Sequence, residues 1–212
     1  MVTAMPAWLV AILVAVVGFG GVFARIAYDR GADLRTRMLD AADDFVTAVT
    51  RAHDAIESAA LPTGLWVEFA WMDTPDHIRA ERQDKAEAAR AAASAAWETS
   101  RQRVPRISLL FGVNSPTAEA ATRTDEALGE ALVGLARAYA ESHDPENEPM
   151  DGHLVTQRAT EHLEAATAEL RDFSASAHAA IKGWRPAWRR RLDHARREAT
   201  SSGTNSLGTG GG

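Results

Sequence analysis

The 212-residue sequence predicts an all-α protein: one N-terminal transmembrane helix, then an up-down-up-down four-helix bundle with coiled-coil-like seams. Three observations lead there. The chain opens on a long uncharged run. Alanine fills about one position in five while aromatic residues make up 7%, which favours helices over a sandwich or barrel. Apolar residues then recur at spacings of three and four over long segments, and Pro and Gly punctuate those segments. An extended coiled-coil dimer is the alternative architecture. The regular Pro- and Gly-marked turns favour the bundle.

Residues 1–5 form a short flank, and residues 6–24 read as the anchor. No charged side chain occurs before Arg25. Nineteen helical residues span about 28 Å, close to the ~30 Å hydrocarbon core of a bilayer. Trp8 and Tyr28 suit the two interfaces, and Leu9, Ile12, Leu13, Val16, Phe19 and Phe23 fill the span between them. Arg25 can snorkel outward past Tyr28. A cleaved signal peptide needs a basic leading region, and no Lys or Arg precedes the apolar run. Arg25, Arg30, Arg35 and Arg37 follow it. The positive-inside rule therefore places the C-terminal domain on the cytoplasmic side of an inner or plasma membrane. Ala7, Ala11 and Ala15 form a small-residue stripe of the kind that lets membrane helices pair, which is one route to a homo-oligomer.

Residues 25–181 read as the bundle. In the first helix, Met38, Ala42, Phe45, Val49, Ala52, Ile56 and Ala59 keep one seam, and Leu61-Pro62-Thr63-Gly64 is expected to end it. The second helix is expected to start at Thr74-Pro75, a cap followed by a first-turn proline, and to stop before Pro105. Its seam is thin: Ile78, Ala86, Ala89, Ala93, Ala96 and Trp97. The third opens with the same signature at Ser115-Pro116 and buries Ala121, Leu128, Leu132, Leu135 and Tyr139. Gly129 and Gly134 each weaken it by roughly 1 kcal/mol relative to alanine. An acidic turn follows, then a fourth helix from about His153 to Ile181, with Ala159, Leu163, Ala166, Leu170, Phe173, Ala177, Ala180 and Trp184 in near-heptad spacing. Short connections make sequential helices antiparallel neighbours.

Three segments outside the seams draw attention. Residues 182–200 form a basic amphipathic stretch with seven basic and two acidic side chains. Trp184, Arg185, Trp188, Arg189, Arg190 and Arg191 suit contact with an anionic membrane surface, although the tryptophans can equally finish the core. An arginine run alone is a weak nucleic-acid signal, and nucleic acid is not an expected partner. Residues 201–212 read as a flexible Gly/Ser tail. Leu65, Trp66, Phe69 and Trp71 form an aromatic segment at the end of the bundle expected to lie away from the membrane. It reads either as a lid on the core or as a patch for a protein partner. Ile107 to Phe111 reads as a packed connector.

The search for chemistry returns little. No cysteine excludes disulfides, thiolate metal sites and a cysteine nucleophile. No glutamate has a histidine three residues on, as a di-iron bundle requires, and the histidines do not fall four apart as zinc pairs do. Phosphate-loop, dinucleotide and nucleophile-elbow motifs are absent. His53 and His162 lie beside seams and read as core-edge residues. The expectation is therefore a membrane-anchored binding or scaffolding protein, not an enzyme, with no cofactor and no catalytic or metal residue. Its partners are the lipid bilayer, a protein or a second copy, and no small-molecule substrate is inferred. The alternative is an extracytoplasmic sensor or envelope protein of the same fold; an enzyme is the least favoured reading, since no constellation of residues supports one.

Overall fold

A computed structural model describes residues 7–143 and 150–183, with side chains from residue 31 onward. Among the described residues there are five helices and no strand: α1 (Ala7–Ala70), α2 (Asp76–Arg101), α3 (Val104–Phe111), α4 (Pro116–Glu141) and α5 (Gly152–Gly183). The chain divides into two compact units, Arg37–Lys182 and Met1–Thr36 with Gly183–Gly212. The first is the all-α bundle, with α1, α2, α4 and α5 as its long helices. Among the described residues no helix is long and apolar enough to cross a membrane. The side chains of residues 6–24, where the sequence places the anchor, lie outside that description.

The seam read for the first helix is the buried one. Met38, Phe45, Val49, Ala52, Ile56 and Ala59 are all buried, with Ala41 turned further in than Ala42. The expected stop at Leu61–Gly64 does not occur. Pro62 lies inside α1, which runs on to Ala70. An interior proline costs about 3 kcal/mol through its missing N–H and its ring clash. Here packing outweighs that cost. Thr63 and Val67 are completely buried and Trp66 is 3% exposed. Burying an indole of 150–250 Å² alone contributes about 4–6 kcal/mol. The expected distal loop is thus two further turns of helix.

Gly64 has a packing reason of its own. A Cβ there would lie 2.6 Å from Thr156 Oγ1 and 2.7 Å from the Gly152 carbonyl oxygen, and a Cβ on Gly152 would collide with the Gly64 carbonyl. The two glycines let the backbones of α1 and α5 touch. At another level of the same interface, the Phe45 and Phe173 rings meet at 4.7 Å with a 57° tilt. Such a pair adds about 0.5–1.5 kcal/mol beyond its burial.

Two starts and stops differ from expectation. Pro75, not Thr74, occupies the cap position of α2, and no side-chain cap bond forms there; Asp76 supplies a negative charge to the first turn instead. The helix ends at Arg101, and Pro105 sits in the first turn of α3, where a missing N–H leaves nothing unpaired. The connector is therefore helical. Ile107 is fully buried and Leu109 is 82% exposed. Ser115 caps α4 as expected, its Oγ accepting from Ala118 N at 3.1 Å. Every residue named for the α4 seam is buried. In α5, Ala159, Leu163, Ala166, Phe173 and Ala177 are buried, while Leu170 and Ala180 are half-buried. Arg106 with Asp44 at 2.9 Å and Arg123 with Glu169 at 2.8 Å tie helices together at the surface, where such pairs add little.

Candidate functional site

The face that α2 turns inward does not stay apolar. Ala93 and Ala86 are buried, but Arg90 lies between them on the same stripe, which continues toward the helix start as Arg82 and Arg79; all three arginines are half-buried. These arginines meet an aromatic cluster. Trp66 and Phe69 lie one turn apart on α1; Tyr139 near the end of α4 and His143 just beyond it also lie one turn apart. Trp66 lies 6.0 Å from Tyr139 and 5.2 Å from His143, centroid to centroid, and Tyr139 lies 4.6 Å from His143. The Arg82 guanidinium carbon sits 3.8 Å above the Phe69 ring, and that of Arg90 sits 3.5 Å above the Tyr139 ring. Both arginines are held by cation–π stacking. Arg79 reaches back to donate to the Met72 carbonyl at 3.2 Å.

One carboxylate enters the cluster. The Tyr139 hydroxyl donates to Glu87 Oε1 at 2.6 Å. Glu87 is held below its usual range chiefly by that bond. The Tyr139 phenol is pushed up, first by burial and then by Glu87. His143 Nδ1 lies 2.8 Å from the Tyr139 carbonyl oxygen, which only accepts, so Nδ1 carries the proton.

What remains is a set of donors with no acceptor among the described residues. Trp66 Nε1, Trp71 Nε1 and the Nε atoms of Arg79, Arg82 and Arg90 are buried and form no hydrogen bond to any described residue. Buried polar atoms are normally paired, so five such donors at one end of a bundle call for an explanation. The chemistry they present is uniform: N–H groups and guanidinium charge framed by aromatic faces. That combination receives carboxylates, phosphates and carbonyls.

Leu65, Trp66 and Phe69, read from the sequence as one segment with Trp71, lie on the last turns of α1, and Trp71 directly follows it. Trp66 is buried, while Leu65, Phe69 and Trp71 are half-buried. The arginines were missed because the seam on α2 was sought among apolar residues only. Extending the spacing of Ala93 and Ala86 back through Arg90, Arg82 and Arg79 would have found them. The anchor residues Trp8, Leu9, Ile12, Leu13, Val16, Phe19, Phe23, Arg25 and Tyr28 have side chains outside the described residues. So do Trp184, Arg185, Trp188, Arg189, Arg190 and Arg191 of the basic stretch.

Two other clusters carry less. His53, Asp54 and Glu57 bring their donor atoms within 4.8 Å of one another on one exposed turn of α1. His53 Nδ1 is already 3.5 Å from Asp54 and 4.0 Å from Glu57, and exposed carboxylates on a single turn do not enclose an ion. Asp125 is pushed up by burial, with Arg101 and Trp97 pulling the other way, and its Oδ1 has no partner. Comparison with protein families, with curated proteins and with solved structures finds no match for this chain.

Proposed function

We propose that this chain is a single-pass, membrane-anchored helical bundle with a binding or scaffolding role, and that the aromatic–arginine end of the bundle holds a protein partner. One observation carries the binding role: among the described residues, the five buried N–H donors at that end have no acceptors. A partner offering carboxylate or carbonyl oxygens would supply them. Support for the anchor comes from the uncharged run from Pro6 to Ala24 and the arginines that follow it, which put the bundle on the cytoplasmic side. The roles proposed for Trp184, Trp188 and the arginines between them rest on the sequence alone and concern the membrane surface. The proposed role is binding, not catalysis.

A photo-crosslinking residue at Met72, which is 50% exposed, tests the binding role. In cells the full chain should yield one discrete crosslinked product. Arg79→Ala with Arg82→Ala should abolish that product without lowering the melting temperature by more than a few degrees. The same product at the same yield from the double variant would contradict the proposal.

A further inference from the structure

A second surface of the bundle presents apolar side chains to solvent. A groove of about 870 Å³ runs over the outer face of α4, between Trp97 of α2 and the first half of α5. Its exposed apolar side chains are Val133, 56% exposed, and Leu154, 47% exposed. Gly134 lies in the middle of this face, and a Cβ there would meet nothing within 4 Å. Nothing inside the chain therefore requires a glycine at that point. Gly64, Gly129 and Gly152 differ, since a Cβ on each would touch a neighbouring side chain or backbone. A mid-helix glycine that relieves no internal contact permits close approach from outside.

The charges along the face indicate what approaches. Going along α4, the outward positions are Glu126, Glu130, Val133 with Gly134, Arg137 and Glu141. Acidic residues lead and a cation follows the central pair. Among the described residues Arg137 has no carboxylate partner, and Glu130 touches only His162, at 3.2 Å. Two copies of α4 running antiparallel, with a two-fold axis between Val133 and Gly134, place Glu130 of each copy opposite Arg137 of the other. Both ion pairs form by one symmetry operation, as an isologous interface demands. Glu126 and Glu141 then oppose each other at the ends, about 11 Å along the helix from the axis, where solvent screens them. A parallel pair would set each charge against itself.

We infer that this face pairs two copies of the chain through antiparallel α4 helices, centred on Val133 and Gly134. The inference is independent of the partner-binding end, which involves other residues.

The chain has no cysteine, so single introduced thiols report cleanly. In the full chain, in its membrane, Val133→Cys should form a disulfide-linked dimer under mild oxidation. Leu109→Cys, on the most exposed apolar residue of α3, should stay monomeric. Detergent-solubilised full chain should dimerise with a dissociation constant raised about tenfold or more by either Glu130→Arg or Arg137→Glu, since each sets like charges face to face. The double charge exchange, and an equimolar mixture of the two single variants, should restore the wild-type value. Both positions are exposed, so melting curves should be close to wild type. A monomer from Val133→Cys would overturn the inference. So would single charge variants that dimerise as wild type does, or a mixture that fails to recover.

Discussion

Replacing Gly64 by alanine tests the packing that carries α1 through Pro62. On helix propensity alone the change should stabilise by about 1 kcal/mol. The surroundings reverse the sign. The new methyl would lie 2.6 Å from Thr156 Oγ1 and 2.7 Å from the Gly152 carbonyl oxygen. The threonine could rotate away, at the cost of its 3.0 Å bond to the same carbonyl. The backbone oxygen cannot. The ends of α1 and α5 must therefore separate, and overpacking of this kind costs about 1–3 kcal/mol. Net destabilisation of up to about 2 kcal/mol is expected. For a chain of this size that lowers the melting temperature by up to about 8 °C, read by far-ultraviolet circular dichroism. Thr156→Ala in the same chain should recover only part of the loss. A Gly64→Ala variant melting at or above wild type would refute the close helix approach and the account of why Pro62 fails to end the helix.

Other expectations follow from the same structure. Phe45→Ala removes a fully buried ring and its contact with Phe173, and should destabilise by about 3–5 kcal/mol in urea denaturation. Glu87 has a folded-state pKa below its usual value of 4.5, so its contribution is complete above that pH and is lost as pH falls below it. Glu87→Gln should therefore flatten the acid limb of the melting temperature against pH; an unchanged slope would contradict the bond to Tyr139. The Tyr139 phenol is pushed above 10.0, so stability falls as pH rises past that value, and Tyr139→Phe should remove that part of the alkaline fall. Asp125 is raised by burial, so its ionised form is the less favoured in the fold, and Asp125→Asn should raise the melting temperature at neutral pH.

Much of the bundle was legible because its helices carry regular apolar seams. Phe45, Val49, Ala52 and Ile56 on α1, and Leu128, Leu132 and Leu135 on α4, announce their buried face by spacing alone. What spacing could not show was where local rules lose to packing. Pro62 and Gly64 are a stop signal in any short window, and only the facing Gly152 and the buried Trp66 explain why the helix continues. Pro105 was rightly read as a boundary, but the eight residues after Arg103 re-enter a helix because Ile107 has a core to enter. The binding end was half legible. Its tryptophans stood out in the sequence, whereas Arg79, Arg82 and Arg90 lie outside the apolar spacing and carried no signal of their own. Aromatic rings from α1 and α4, distant in sequence, are what bring two of them inside.

Alkaline carbonate extraction of membranes from cells making the full chain tests the proposed anchor most directly. It strips peripheral proteins and leaves those that span the bilayer. The account predicts that the chain stays in the pellet, and that replacing Leu13 and Val16 with arginine, in the middle of the uncharged run, releases it to the supernatant. Wild-type chain recovered in the supernatant would contradict the account.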